Sequence, residues 1–567
     1  MLMRILKSSK VALLLLLIFS ADFLQAASPD PERGKKGMVV SASDLASQVG
    51  MLILKRGGNA VDAAVATGFA LAVTYPAAGN IGGGGFMVIH LKNGKDVALD
   101  YREKAPLKAS RNMYLDSLGN FDASRSREGF LSAGVPGSVA GLIYALEKYG
   151  TMKLEDVIQP AIDLATDGFP LSFRLSESIA SEFREFQKYS SSAKVFTEGG
   201  ELLKEGFIFK QPDLALTLSL IKEHGRDGFY KGTVAELIEK QSEKMGGIIT
   251  KEDLENYSVV EKEPVKGTYR GFGIISMPPS SSGGIALIEA LNILENFSFD
   301  KSDWNSSLYI HRLVEALRYV YADRSKYLGD EAFYHVPKEW LTSKEYARII
   351  FMKISDKAAL SKDILPGVNP AEESLQTTHY SVVDQYGNAV STTTTLNSSY
   401  GCKIVVDGAG FLLNNEMDDF SAKPGEPNQY GLTGNEANAI QPGKRMLSCM
   451  TPTIILKDGK PFMVTGSPGG STIITVVLQT ILNVLDFGMN IQQAIDAPRI
   501  HHQWLPDELY FEKFGISKDT YDNLKNMGYV FGGTRTLGRA EGILINPKDG
   551  TIYGATDPRG YGKAAGF

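Results

Sequence analysis

The fold is decided by residues 376–384, whose sequence is Gln-Thr-Thr-His-Tyr-Ser-Val-Val-Asp. This β-rich run is followed by a turn at 385–388 and a returning strand at 389–396, so the pattern predicts a hairpin. The preceding residues 361–374 contain Pro and Gly without apolar periodicity, which is typical of a loop. Thr377 therefore stands where a loop runs directly into a strand.

A threonine at such a junction can serve as a nucleophile if the chain is cut just before it. A Thr hydroxyl is weak until a base removes its proton, and a free α-amino group, with a pKa near 8, can be that base on the same residue. The chemistry requires Thr377 to become a chain N-terminus. Many proteins have a loop before a Thr strand, so further motifs are needed to support this hypothesis.

The N-terminus resembles a secretory signal. Arg4, Lys7 and Lys10 precede an apolar run at 11–19, and Ala26-Ala27 offer small residues for cleavage. We therefore expect residues 1–27 to be removed and the protein to be periplasmic or secreted. An uncleaved anchor is the alternative, although the run is shorter than the roughly 20 residues that span a bilayer.

The composition excludes several classes of protein. Hydrophobic content of 43% and charged content of 22% are ordinary for a globular protein, and the net charge of −6 gives no footprint for nucleic acid. Two cysteines, Cys402 and Cys449, exclude a disulfide scaffold, although they could pair in an oxidising compartment. The seven histidines lack metal-ligand spacing, so we expect neither a metal nor a cofactor.

Outside the hairpin, the pattern predicts mostly scaffold. Helices are expected at 43–55, 59–72, 285–296 and 315–327, and strands at 86–91 and 97–101, with Arg102 immediately after the second strand. No chemistry is apparent between residues 131 and 360. Residues 466–472 resemble a phosphate loop but lack its Lys, which leaves a tight turn or a nest of backbone donors as alternatives.

An ordered set of motifs resembles the γ-glutamyltranspeptidase family, in its bacterial exported form. The resemblance covers about residues 38–560. The motifs are GGNAVDAA (57–64), GNIGGG (79–84), YREKAP (101–106), QTTHYSVVD (376–384), TLN (395–397), LLNNEMDDF (412–420), PTI (452–454), GSPGG (466–470), APR (497–499) and YGATDPR (553–559).

The resemblance implies an α+β fold of the N-terminal-nucleophile hydrolase type, a four-layer αββα sandwich. It also implies a precursor that cuts itself between Gln376 and Thr377. The large subunit would comprise residues 28–376 and the small, catalytic subunit residues 377–567, and the two would remain associated in one composite fold.

The implied reaction begins with attack of Thr377 on the γ-carbonyl of glutathione, glutamine or another γ-glutamyl amide. Water, an amino acid or a dipeptide then resolves the γ-glutamyl-enzyme. By the same resemblance, Thr395 orients the nucleophile and the backbone of Gly469 and Gly470 stabilises the oxyanion. The substrate would be bound by Arg102, Asn397, Glu416, Asp419, Tyr430, Ser448 and Cys449.

These residues also have simpler interpretations. Arg102 could pair with Asp100 or Glu103 on the surface, Asp418-Asp419 could be a solvated pair at a helix start, and Asn397 could be only a turn residue. Cys449 departs from the family, which usually has Ser there, and a thiol is a weaker hydrogen-bond donor than a hydroxyl and is larger. Residues 423–434, with Tyr430, resemble the family's lid loop.

Two other functions compete with the transpeptidase. One is a related acylase that removes a glutaryl or cephalosporin-type side chain, and the other is an exported binding protein that never cleaves itself. Glu416 and Asp419 favour a γ-glutamyl substrate, because a substrate without an α-ammonium has no use for two carboxylates. Thr377, Thr395 and the two glycines argue against an inert protein.

Overall fold

The computed structural model describes residues 28–364, 377–423, 425, 428–429, 432 and 434–567. Gln376, Tyr430, the predicted signal and most of the predicted loop before Thr377 therefore lie outside the described residues. Within the described part of the chain, no helix is long and apolar enough to cross a membrane.

Two seven-stranded antiparallel sheets form the centre of the molecule. The first, called sheet 1, has the strand order Lys563–Gly566, Met38–Ser41, Thr378–Val383, Ala389–Thr395, Gly84–His90, Asp96–Tyr101, Val260–Lys262. The second, called sheet 2, has the order Glu32–Gly34, Ile552–Thr556, Glu541–Ile545, Lys460–Gly466, Thr453–Lys457, Phe272–Ser276, Val265–Tyr269.

Helices cover the outer face of each sheet. The buried helix Ala60–Thr74 packs on sheet 1 with its neighbours, and the helices Gly283–Leu294 and Thr472–Leu485 pack on sheet 2. The inner faces of the sheets meet each other, as in the strands Ala389–Thr395 and Lys460–Gly466. The resulting order is helix, sheet, sheet, helix, so the predicted αββα sandwich is confirmed.

The remaining helices and short strands complete the layers and their edges. The longer helices are Asp44–Lys55, Ser138–Tyr149, Leu154–Asp167, Phe173–Ser181, Pro212–His224, Gly232–Lys244, Ser307–Tyr327, Lys344–Phe351 and Lys518–Met527. The shorter helices are Ala123–Arg127, Phe183–Gln187, Ser190–Phe196, Asp227–Tyr230, Lys251–Glu255, Lys338–Leu341 and Ile491–Asp496. Three small sheets pair Phe169–Pro170 with Ile208–Phe209, Thr197–Glu198 with Glu201–Leu202, and Leu509–Phe511 with both Ile500–His501 and Phe531–Thr534.

Local sequence explains where the key elements begin. Asn59 caps the helix Ala60–Thr74, since its side chain accepts from Val61 and Asp62 and the Asp62 carboxylate accepts from the Asn59 backbone. The predicted hairpin is confirmed, with Thr378 opposite Thr394 and Val383 opposite Ala389. The helix predicted from residue 315 is longer than expected and begins at Ser307.

Candidate active site

The hairpin places Thr377 beside Thr395. Its last pair is Thr378 with Thr394, so continuing the register by one residue sets Thr377 opposite Thr395, where side chains share a face. Both residues are buried and line the same cavity, here called the nucleophile cavity. The Thr395 hydroxyl accepts a hydrogen bond of 2.8 Å from the backbone N–H of Asn397.

The face that carries Thr377 is polar and points between the two sheets. Two residues along the strand, His379 contacts the hydroxyls of Thr393 and Ser381, each at 2.9 Å. Burial lowers the pKa of His379 to about 3, so this imidazole is neutral. The two hydrogen bonds hold the His379 ring within the strand pair. The base that chain cleavage would provide for the Thr377 hydroxyl is the α-amine of Thr377 itself.

Arg102 lies across the nucleophile cavity and contacts two carboxylates there. Its guanidinium donates to Glu416, and it donates to Asp419 at 2.5 Å. The side chain is only 1% exposed, so the interpretation of Arg102 as a surface residue is wrong. Asp100 instead pairs with Lys262 at 3.1 Å and Arg445 at 3.1 Å.

The two neighbouring aspartates are also largely removed from solvent, and the Asp419 side chain is 11% exposed. Asp418 is 1% exposed and accepts from Ser126, Arg127 and the backbone of Gln429, so the interpretation of Asp418-Asp419 as a solvated pair is wrong. Asn428 donates to Asp419 at 3.2 Å. Two residues of the predicted lid segment, Asn428 and Gln429, therefore contact the two aspartates.

Glu103 is a third carboxylate near the same guanidinium, and its sequence position predicts only a surface partner for Arg102. Its Oε2 lies 3.5 Å from Arg102, and among the described residues neither carboxylate oxygen has a hydrogen-bond partner. Burial raises the pKa of Glu103 to about 7 and that of Asp419 to about 8. Burial, together with the charge of Glu103, also raises the pKa of Glu416 far above its ordinary value, against the opposing effect of Arg102.

The turn at 466–472 contributes to the site as well as to the fold. Gly469 and Gly470 have φ angles of 140° and 54° and lead into the helix Thr472–Leu485. Gly470 lines the nucleophile cavity, whereas Gly469 lines a second cavity next to it. Backbone N–H groups at such a turn into a helix can stabilise an oxyanion.

Ser448, Cys449 and Asn397 complete the predicted set around Thr377. All three line the nucleophile cavity and are buried. Asn397 has a φ of 73° and donates to Asn415 at 2.9 Å, so it occupies a turn position and also reaches the cavity. Burial raises the pKa of the Cys449 thiol. Cys402 and Cys449 are free and line different cavities.

Arg324 also lines the nucleophile cavity, so the expectation of pure scaffold between 131 and 360 is wrong. It lies in the helix Ser307–Tyr327 and donates to the Ser282 hydroxyl at 2.9 Å. The same hydroxyl lies 3.9 Å from the Cys449 sulfur. A cation in the last turn of a helix is usually solvated, so the sequence pattern does not indicate that Arg324 lines a cavity.

The four layers, with a threonine at the start of an inner strand, define an N-terminal-nucleophile hydrolase. The chain belongs to the γ-glutamyltranspeptidase family, whose model matches residues 46–567. A glutathione hydrolase proenzyme of Escherichia coli strain K12 is 53% identical over 531 residues, which are 93% of this chain and 91% of that protein.

Two solved structures agree with this assignment. A cephalosporin acylase from Bacillus halodurans has a TM-score of 0.85 at 28% identity, over 96% of this chain and 98% of that chain. A Helicobacter pylori γ-glutamyltranspeptidase has a TM-score of 0.57 at 52% identity, over 60% of this chain and 97% of that chain. The acylase shares the fold, so the substrate must be argued from the site.

Proposed function

We propose that this protein is a γ-glutamyltransferase and glutathione hydrolase that matures by cutting itself between Gln376 and Thr377. The observation that carries the proposal is the placement of Thr377 and Thr395 in one cavity with Arg102, Glu416 and Asp419. That cavity combines a potential N-terminal nucleophile with groups of both charges. Its products would be a large chain of residues 28–376 and a small chain of residues 377–567.

Maturation would proceed by attack of the Thr377 hydroxyl on the carbonyl carbon of Gln376. The peptide C–N bond breaks, an ester to the Thr377 oxygen forms, and the nitrogen of Thr377 takes up the proton. Water then hydrolyses the ester, which releases the Gln376 carboxylate and restores the hydroxyl. The freed amine becomes the base for later turnovers.

In turnover, the Thr377 oxygen attacks the γ-carbonyl of the donor and its proton passes to the amine. The amide C–N bond breaks, and the leaving amine takes that proton. Backbone N–H groups of Gly469 and Gly470 would stabilise the oxyanion, where removal of one donor typically costs about 3–4 kcal/mol. Water or an acceptor amine then displaces Thr377, giving glutamate or a new γ-glutamyl amide.

The charges of the cavity favour an α-amino acid head group. Arg102 can hold the substrate α-carboxylate as a planar fork, and Glu416 and Asp419 can hold the α-ammonium. The cavity volume is only about 20 Å³, because Arg102 bonds directly to these two carboxylates. Substrate binding therefore replaces the ion pairs of Arg102 with Glu416 and Asp419 by two new ones. Arg102 pairs with the α-carboxylate and the two acidic residues pair with the α-ammonium, with Asn397 and Ser448 beside them.

The acylase alternative shares the fold but explains the cavity less well. A glutaryl side chain carries a carboxylate for Arg102 but has no ammonium for Glu416 and Asp419. If Arg102 turned to the glutaryl carboxylate, Glu416 and Asp419 would lose their cationic partner and gain none, which would carry a large desolvation cost. The hypothesis of a binding protein that never cleaves itself gives no reason for Thr377 to lie opposite Thr395 at the strand end.

The first test is maturation. The purified protein is expected to run as two polypeptides, with the small one beginning at Thr377, whereas Thr377→Ala remains a single chain without activity. Thr378→Ala changes the adjacent threonine and serves as the matched control, which should still be cleaved. A small chain that begins at another residue would contradict the proposal.

The second test is the substrate. The matured protein should release the anilide from a γ-glutamyl anilide, and faster when a dipeptide acceptor is added. Release from a glutaryl anilide at an equal or higher kcat/KM would support the acylase instead. We also propose that residues 1–27 direct export, which N-terminal sequencing of the periplasmic fraction would check.

A further inference from the structure

A second cavity lies next to the nucleophile cavity and has no role in the chemistry described above. Its volume is about 630 Å³, against about 20 Å³ for the nucleophile cavity. This is large enough for a ligand of dipeptide size, since ligand sites usually measure about 300–1,000 Å³.

Three pairs of consecutive residues form the wall between the two cavities. In each pair one residue lines the second cavity and its neighbour lines the nucleophile cavity; the pairs are Ser398 with Asn397, Asn415 with Glu416, and Gly469 with Gly470. Consecutive Cα atoms are about 3.8 Å apart. One proposed oxyanion donor, Gly469, therefore lines the second cavity and the other, Gly470, lines the nucleophile cavity, so the second cavity is within reach of a group attached to the γ-carbonyl.

Most charged groups that line the second cavity already have ionic partners. Lys403 lies 3.2 Å from Glu182, Arg127 lies 3.4 Å from Asp418, and Glu185 pairs with Lys188 at 2.6 Å. Among the described residues that line the cavity, these contacts leave two charged side chains without an ion pair, the carboxylate of Glu128 and the guanidinium of Arg539. Of the two, only Arg539 can attract an anionic ligand.

Arg539 is the cation of this cavity that forms no ion pair among the described residues. Within the described residues its guanidinium donates to the Tyr75 hydroxyl at 3.1 Å, and no carboxylate lies within ion-pair distance. The side chain is half-buried, so solvent screens its charge only in part. An arginine fork in this state is suited to a carboxylate ligand.

The backbone holds Arg539 against the oxyanion turn. Its N–H donates to the Ser467 hydroxyl at 3.1 Å. A Cβ on the preceding residue, Gly538, would lie 2.7 Å from that hydroxyl and 3.0 Å from the Pro468 carbonyl oxygen. The Arg539 side chain is thus carried by a segment in direct contact with residues 467–469.

We infer that Arg539 binds the carboxylate of the amine component, which is the peptide that leaves from the donor or the peptide that accepts the γ-glutamyl group. An extended dipeptide spans about 7 Å, so its carboxylate lies well beyond the γ-amide nitrogen and within the second cavity. The inference rests on the proposed function. It makes Arg539 a specificity residue for peptides with a free C-terminus.

The test compares two acceptors that differ only in this carboxylate, and two donors whose leaving groups carry it or lack it. Glycylglycine and glycylglycinamide are used as acceptors, and glutathione and a γ-glutamyl anilide as donors. For the wild-type protein, the half-saturating concentration of glycylglycine should be about ten- to a hundredfold lower than that of glycylglycinamide. This is the range expected for one charge-assisted hydrogen bond. This comparison requires no variant.

Arg539→Gln should remove the preference. The KM for glutathione and the half-saturating concentration of glycylglycine should rise by about ten- to a hundredfold, whereas the values for the anilide and the amide should change less than twofold. Arg535→Gln is the matched control, because it removes a guanidinium that packs on the Tyr510 ring and does not line the cavity. It should keep the preference.

Two results would overturn the inference: equal use of glycylglycine and its amide by the wild type, or equal losses for all four ligands in Arg539→Gln. The second result would mean that Arg539 acts only through the turn at 467–469. A wild-type protein that releases no anilide would instead overturn the proposed function itself.

Discussion

Arg102 is surrounded by more negative charge than it can neutralise. Glu103, Glu416 and Asp419 all lie within ion-pair distance of one guanidinium, and all three carboxyls have raised pKa values. Neutral carboxyls cannot hold an α-ammonium well, so the donor site requires their ionisation. An α-ammonium would also supply the positive charge that the cluster lacks. Substrate binding should therefore be linked to proton release.

This linkage predicts the pH dependence of the donor reaction. With pKa values of about 7 for Glu103 and about 8 for Asp419, kcat/KM for a γ-glutamyl anilide should rise with pH across this range. Glu103→Gln removes one negative charge beside Glu416 and should move this rise to lower pH. The pH profile of kcat/KM checks this prediction. The control is Glu261→Gln, which removes a partly exposed carboxylate that pairs with Lys148 and does not line the nucleophile cavity. An unshifted profile would show that Glu103 does not belong to the titrating cluster.

Replacing Cys449 by serine should raise the affinity for the γ-glutamyl donor. The residue lines the nucleophile cavity, where its thiol is a weaker donor than a hydroxyl. Cys449→Ser should lower the KM for the γ-glutamyl donor by about two- to tenfold, the value of one modest hydrogen bond, with little change in kcat. Cys449→Ala controls for the loss of sulfur volume. A KM for the Ser variant equal to that of the Ala variant would contradict the prediction.

At the scale of elements, glycines bring the end of the Ala389–Thr395 strand close to its neighbours. A Cβ on Gly83 would lie 2.1 Å from the Thr395 carbonyl oxygen and 2.7 Å from the Asn80 side-chain oxygen. Asn80 in turn donates to the Thr395 carbonyl at 2.9 Å. The glycine-rich turn at 79–85 therefore fixes the position of Thr395, and through the hairpin that of Thr377.

Gly83→Ala should displace this strand end. Shifts of about 1 Å at a reacting centre can cost about 10²-fold in rate, so slower self-cleavage and a similarly reduced kcat are expected. Gly273→Ala makes the same change in a strand of sheet 2, where the nearest atom is 3.5 Å away, and should behave as wild type. Cleavage time courses on denaturing gels measure the first effect. Normal cleavage by Gly83→Ala would contradict the role given to this turn.

The hairpin could be predicted from sequence because period-2 β-branched residues and turn signals are local. Arg102 was identified because a family motif follows directly on a predicted strand. Glu103 and Arg324 were missed because their roles depend on which distant residues pack against them. Glu103 reads as a surface charge in sequence, and only the fold removes it from solvent.

For the whole molecule, the two proposed subunits are interleaved strand by strand. In sheet 1, the small-chain strands Thr378–Val383 and Ala389–Thr395 lie between the large-chain strands Met38–Ser41 and Gly84–His90. Further pairings join Met38–Ser41 to Lys563–Gly566, Glu32–Gly34 to Ile552–Thr556, and Phe272–Ser276 to Thr453–Lys457. Neither chain would have a complete sheet or core without the other.

The matured enzyme should therefore not dissociate without unfolding. The centre of sheet 1 belongs to the small chain, so separating the chains would expose buried strand edges and the core between the sheets. In a urea titration, loss of far-UV circular dichroism and separation of the chains by gel filtration should share one midpoint. The uncleaved Thr377→Ala precursor, which cannot separate, serves as the control. Release of a small chain at urea concentrations where the circular dichroism is still native would contradict the interleaved architecture, because strands in the middle of a sheet cannot leave while the sheet remains.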